Sequence, residues 1–260
     1  MAGAQALPWR RQSYPHLRKV HRGLHLFFEL AAFAVAYRYY LWLRKRQSDP
    51  IPDGQRLWII IGAAAGALLG SRLLGALEDP AALSGGWRSF VVALNNRTIV
   101  GGLLGGLAGV ELVKRAIGEK RRSGDLFVYP LLLGMIIGRM GCALAGLEDH
   151  TYGTVTALPW GMDLGDGLRR HPTNVYEILF LCALWLLLRW VQHRWMLAAG
   201  ALFQLFMVGY LAFRSLIETL KPDPIVWAGL SSIQLACVAG LLYYYRVWLR
   251  PSTLIIRSNG

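Results

Sequence analysis

The feature that constrains this chain most is a succession of apolar runs, each about as long as a bilayer is thick. A helix rises about 1.5 Å per residue, so crossing the hydrocarbon core takes roughly 20 mainly apolar residues. About seven such runs occur, at Leu24–Leu43, Leu57–Leu77, Thr98–Ile117, Leu126–Leu147, Asn174–Gln192, Leu197–Leu216 and Ile225–Trp248. Glycines dilute the third, and a further apolar stretch, Phe90–Leu94, precedes it. Apolar residues make up 55% of the 260 and charged residues only 17%, which leaves too little polar surface to wrap a water-soluble globule. The reading is an all-α, polytopic membrane bundle of about seven transmembrane helices. Residues 1–23 form a basic arm, 24–250 the membrane domain with a long connection over 148–173, and 251–260 a tail. No small-residue cleavage pattern follows the first run, which is therefore read as a retained span. Cys142, Cys182 and Cys237 all fall inside spans, where packing is the expected role.

The formal charge of +13 raises the question of a nucleic-acid partner, but the basic residues sit in the arm and at span ends instead of along one face. Membrane lipids, the anionic ones above all, are the expected partners, and no nucleic acid. Placing the N-terminus outside puts Arg44–Arg56, Lys114–Arg122, Arg189, Arg194 and Arg246–Arg257 on the inside. That inner set outnumbers the outer Lys and Arg by 14 to 5 once the arm is set aside. The positive-inside rule then predicts a multi-pass protein of the cytoplasmic membrane with its C-terminus cytoplasmic, although the arm itself argues weakly the other way. The connection over 148–173, rich in Gly, Asp, Pro and Arg, faces the extracytoplasmic side in that orientation. Gln47–Gln55 reads as a plain turn. Gly62, Gly66 and Gly70 in the second run, and Gly101, Gly105 and Gly109 in the third, match the small-xxx-small spacing that lets helices approach closely. The alternative there is a helix broken at Gly101 and Gly102, whose backbone N–H groups would face a lipid phosphate.

Ionisable residues remain inside these runs: Glu29, Arg38, Arg72, Glu111, Arg139, Glu177, Arg214 and Glu218. Each costs a few kcal/mol at bilayer depth unless paired or hydrated, so the set predicts an internal polar site. Arg38, Glu111 and Glu177 lie close enough to span ends to snorkel. Arg139 lies about 12 Å along the axis from the end of its span, too far for that to suffice. Arg214 and Glu218 are spaced to pair on one helix face. A guanidinium offers a phosphate two parallel charge-assisted hydrogen bonds, and two interior arginines suit one phospholipid head group. His171, in Arg169-Arg170-His171-Pro172, stands at the outer edge of the fifth run and is a candidate base.

Several elements together carry a resemblance. Gly138-Arg139-Met140-Gly141, then Gly153, then Arg170-His171-Pro172-Thr173-Asn174-Val175-Tyr176-Glu177 occur in an order and separation that resemble the prolipoprotein diacylglyceryl transferase family. So do Gly70-Ser71-Arg72, Gly101-Gly102-Leu103-Leu104-Gly105, and Phe213-Arg214 followed by Glu218 and Pro222-Asp223. The resemblance implies transfer of a diacylglyceryl group from phosphatidylglycerol to the lipobox cysteine thiol of a prolipoprotein signal peptide, releasing glycerol phosphate. It implies Arg139, Arg214, His171 and Glu218 as catalytic residues. Substrate-binding roles fall to Arg72, Gly101, Gly102, Glu148, Gly153, Tyr176 and Glu177. The chain departs from the family pattern at four places. Val100 stands where His precedes the glycine pair, Cys142-Ala143 where Asn-Phe follows Gly-Arg-x-Gly, and Ala145-Gly146-Leu147 where Asn-Gly-Glu is usual. Lys221-Pro222-Asp223 also replaces an Arg-x-Pro-Asp element. These departures mark a divergent member, and the alternative function is a paralogue that binds or moves anionic phospholipid, or uses a different acceptor. An intramembrane protease is disfavoured by the lack of a Gly-x-Ser-Gly turn, an aspartate pair or a His-Glu-x-x-His helix. No motif calls for a metal or cofactor.

Overall fold

The computed structural model describes residues 15–47, 49–78, 85–149, 151–222 and 225–256, without the side chains of 15–22, 24, 25, 148 and 149. Most of it is helix: α1 (Pro15–Arg46), α2 (Asp53–Leu77), α3 (Trp87–Ala93), α4 (Ile99–Ala116), α5 (Val128–Ala145), α6 (Thr173–Arg194), α7 (Ala201–Ile217), α8 (Ser232–Tyr243) and α9 (Tyr245–Leu249). The expected apolar runs are all helical over most of their length, and five helical segments are long and apolar enough to cross a bilayer. The third run forms α4, whose 18 residues include Glu111, Lys114 and Arg115. The last run is shorter than expected. Residues 225–230 form a turn with Ala228 and Gly229 at φ of 51° and 78°, and the helix starts afresh at Ser231. There Ser231 and Gln234 form a capping box that satisfies the first free amides.

The most extensive pairings set α2 against α4 and α1 against α5, with α6, α7 and α8 completing the bundle. The glycine spacing explains the first pairing. Gly62, Gly66 and Gly70 lie against Gly109, Gly105 and Gly101 in antiparallel register, and a Cβ on any of them would fall on a backbone carbonyl across the seam. Apolar residues of α5 to α8, among them Leu132, Leu181, Phe206, Met207 and Leu211, form the buried core.

At one end of the bundle the two neighbouring connections are clamped together. Arg56, only 1% exposed, pairs with Asp49 and donates to Ser123 Oγ at 3.1 Å, while Arg44 donates to the same Asp49 carboxylate at 3.0 Å. Arg121 pairs with Glu119 and donates to the Pro50 carbonyl, tying the segment after α4 to the one after α1. Residues 47–55 are thus a charge-pinned joint and not the plain turn expected. At the opposite end the long connection carries a two-stranded antiparallel ribbon, β1 (Met162–Asp163) and β2 (Arg169–Arg170). Asp163 Oδ1 accepts the amides of Gly165, Asp166 and Gly167, and Arg170 pairs with Asp166 at 2.6 Å. Those amide bonds hold the Asp163 carboxyl below its ordinary range.

Candidate functional site

The end of α5, the first turn of α6 and the end of α7 converge on one buried polar cluster. Arg139, on α5, meets Glu177 of α6 through a 2.9 Å ion pair between Nε and Oε2. Tyr210 of α7 donates its hydroxyl to the other oxygen, Oε1, at 2.8 Å. One turn further along α7, Arg214 donates to Glu218 Oε2 at 2.6 Å. The Ser231 hydroxyl donates to Glu218 Oε1 at 3.3 Å from the start of α8. None of the four charged residues is more than 5% exposed. Tyr210, one turn before Arg214 on α7, links the Arg139–Glu177 pair to the helix that carries the Arg214–Glu218 pair.

Local sequence explains the placement. Asn174 and Glu177 are three residues apart and share a face of α6. Arg139 Nη1 makes a long 3.5 Å contact to Asn174 Oδ1, which also accepts the Thr151 hydroxyl at 3.0 Å. Tyr210, Arg214 and Glu218 recur every four residues along an otherwise apolar helix, a polar stripe aimed at the core. The Gln234 side chain donates to the Ser215 carbonyl at 3.2 Å and fixes α8 against that stripe.

The long connection closes over this end. Thr154 N–H donates to the Leu220 carbonyl at 2.7 Å, just past Glu218. Gly153 packs so tightly on His171 that a Cβ there would meet the histidine Cβ and carbonyl, and its N–H donates to that carbonyl at 3.2 Å. His171 Nδ1 lies 3.4 Å from the Tyr176 hydroxyl, which accepts from Trp160 Nε1 at 2.8 Å. Gly153, His171 and Tyr176 are therefore one group, covalently continuous through the first turn of α6 with Asn174 and Glu177.

The remaining expected residues lie elsewhere. Arg72 donates to the Leu94 carbonyl at 2.8 Å and braces the connection between α3 and α4. Gly101 and Gly102 sit in an unbroken helix, as the packing reading expected, and the alternative of a break with phosphate-facing backbone is not found. The Gly101 N–H is taken by the capping Thr98 Oγ1 at 3.0 Å and that of Gly102 by the Thr98 carbonyl. Glu148 lies in a short 3₁₀ turn, Gly146–Asp149, and its side chain is outside the described residues, as is Asp223. Two cavities, of about 350 and 580 Å³, open beside α1, and neither is lined by Arg139 or Arg214. The two arginines have carboxylates as their partners. Asn174, Tyr210, Thr151 and Ser231 escaped the sequence reading. The i,i+3 and i,i+4 spacing of Asn174 and Tyr210 to Glu177 and Arg214 was the available signal for two of them.

A family model described as prolipoprotein diacylglyceryl transferase matches residues 24–250. A Bordetella parapertussis protein named phosphatidylglycerol–prolipoprotein diacylglyceryl transferase is 40% identical over 129 residues, covering 46% of this chain and 48% of its own. Proteins of the same name from Nitratidesulfovibrio vulgaris and Idiomarina loihiensis are 31% and 30% identical, covering 80% and 78% of this chain and 77% of their own length in each case. The chain thus spans about half the length of the Bordetella relative it matches.

Proposed function

Since this chain belongs to the prolipoprotein diacylglyceryl transferase family, we propose that it transfers the diacylglyceryl group of phosphatidylglycerol to the lipobox cysteine thiol of a prolipoprotein. The observation that carries this reading is the buried cluster of the Arg139–Glu177 and Arg214–Glu218 pairs, with Tyr210 of α7 bonded to Glu177. In the reaction the cysteine sulfur bonds to a glycerol carbon, and the bond from that carbon to a phosphate oxygen breaks. The thiol proton leaves to a base, and glycerol phosphate departs. Negative charge gathers on the leaving phosphate, where fixed guanidiniums stabilise it most effectively. The present partners of the guanidiniums explain how they are held: Glu177 and Glu218 orient each planar group, and Tyr210 and Ser231 orient the carboxylates. A lipid phosphate would take over hydrogen bonds now made to carboxylate oxygens, an exchange of one anion for another within the cluster.

His171 is the group placed to accept the thiol proton, since a thiol of ordinary pKa reacts as thiolate. Tyr176, bonded to Trp160, and Gly153, packed on the histidine backbone, set its position. Arg72 and Gly101 contribute by building the α2–α4 frame. In the orientation with the N-terminus outside, the cluster and the ribbon face the extracytoplasmic side of the inner membrane, where a secreted acceptor arrives.

A second reading, a protein that binds or moves anionic phospholipid without chemistry, is favoured by one observation. Val100, fully buried in the apolar core, stands where the family carries an imidazole. Complementation of a strain depleted of its own diacylglyceryl transferase separates the two. Rescue by the wild-type chain and none by Arg214→Ala, with both inserted in the membrane, is the expected result. Rescue by both would discard the arginine chemistry, and rescue by neither would favour the binding reading.

A further inference from the structure

Three arginines inside the membrane-spanning runs have protein partners: Arg72 the Leu94 carbonyl, Arg139 Glu177, and Arg214 Glu218. Arg38 on α1 is exposed and makes no hydrogen bond or ion pair with any described residue. It precedes Arg44 by six residues, about 9 Å along the axis. A cation there costs a few kcal/mol unless an anion or water reaches it.

Beside Arg38 a groove of about 580 Å³ opens between α1 and α5, lined by Ala34, Val35, Tyr39, Trp42 and Leu133 besides the arginine. It is shallow and open to the surroundings, and its lining is mostly apolar around a single cation. The wall is held in place. Tyr39 stacks between Trp42 and Trp185 with ring centroids 5.7 and 6.0 Å away, and the Arg46 guanidinium lies 4.1 Å over the Trp42 ring.

We propose that this groove binds one anionic phospholipid of the leaflet on the α1 C-terminal side. Its phosphate sits on the Arg38 guanidinium and one acyl chain lies against Ala34, Val35 and Leu133. The guanidinium takes two phosphate oxygens in parallel, which compensates its charge at the edge of the hydrocarbon. Tyr39 and Trp42 belong at the depth where head groups meet acyl chains, and Arg44, Lys45 and Arg46 continue the basic surface into the same phosphate layer. The site is distinct from the buried cluster. Leu133 is six residues before Arg139 on α5, about 9 Å along the axis, and lines a groove with α1, whereas Arg139 turns to α6. Nothing in this proposal depends on the transferase reading.

Snorkelling of Arg38 to water would leave the same exposed side chain without a lipid, and native mass spectrometry separates the two. The purified full chain in detergent is titrated with phosphatidylglycerol, or with phosphatidylcholine of the same chains. The wild type is expected to retain one phosphatidylglycerol that Arg38→Gln binds about tenfold more weakly. Val35→Trp, which fills the groove and keeps the charge, is expected to lose the same lipid. Equal retention by wild type and Arg38→Gln, or equal retention of phosphatidylcholine, overturns the proposal. Loss in Arg38→Gln alone, with Val35→Trp unaffected, overturns the groove as the binding site.

Discussion

Two seams inside this bundle close in opposite ways. Between α2 and α4, paired glycines bring backbone onto backbone with no side chain between them. Where α5, α6 and α7 meet, full charges fill the gap, and Arg139, Glu177, Tyr210, Arg214 and Glu218 neutralise one another. Apolar burial hardly drives helices together in lipid, because acyl chains are as apolar as leucine. What remains is close steric fit or internal polar bonding, and this chain uses one for its frame and the other for its candidate site. The glycine seam excludes ligands by leaving no space. The charged seam holds groups that a phosphate could recruit.

The largest expected effect is at the charged seam. Arg139→Ala strands Glu177 as a buried, unpaired carboxylate, a loss of about 3–5 kcal/mol in detergent unfolding, and lowers diacylglyceryl transfer by at least about a hundredfold. A variant of wild-type stability would mean that Glu177 is held by something other than this arginine. Next comes the glycine seam. Gly105→Val puts a Cβ on the Gly66 carbonyl oxygen, so the helices must part, at about 1–3 kcal/mol. Unfolding measurements that find no loss would refute the backbone contact.

Tyr210→Phe removes the 2.8 Å bond to Glu177 and leaves a carboxylate oxygen short of a donor. The expected cost is about 1–3 kcal/mol, and it should shrink strongly in the Arg139→Ala background if the two groups act as one unit.

The clamp at the other end makes a pH prediction. Burial raises the pKa of Asp49, but the Arg56 bonds and the Ile51 amide outweigh it, and the net direction is down. Glu119 is held at about 2 by its bonds to Arg121. Depressed carboxylate values stabilise the fold fully above the ordinary range and lose that contribution as pH falls through the folded value, so this joint should loosen below about pH 4. Asp49→Asn should lower stability at neutral pH and weaken the acid-side fall, leaving the part that comes from Glu119.

The smallest effect expected is at Gly102, where a Cβ would meet only ordinary contacts at 3.8 Å. Gly102→Ala should be neutral or stabilise by up to about 1 kcal/mol, in contrast to its neighbour Gly105.

The same contrast governs what could be read in the sequence. The glycine seam was legible because a four-residue spacing on two runs defines a face by itself, and Arg139 because hydrocarbon penalises a mid-span charge. Arg214 and Glu218 could be paired on spacing alone. The Arg139–Glu177 bond could not, since it joins helices 38 residues apart in sequence and depends on how α5 and α6 cross. Glu177 looked free to snorkel because it lies four residues into its helix, yet the long connection folds over that end and shuts out water. The start of the last run differs from expectation because hydropathy sees Ile225, Val226 and Trp227 but not the left-handed turn at Ala228 and Gly229. The clamp at Asp49 was missed because Pro50, Pro52 and Gly54 read as turn residues whatever the neighbouring charges bind.

Release of glycerol phosphate is the readout closest to the proposed chemistry. Purified wild-type protein, phosphatidylglycerol and a lipobox peptide should yield it in step with thioether formation on the peptide. Arg139→Gln and Arg214→Gln, similar in size and without charge, should each yield almost none while remaining folded. Equal product from wild type and both variants would contradict a phosphate site built on these two guanidiniums.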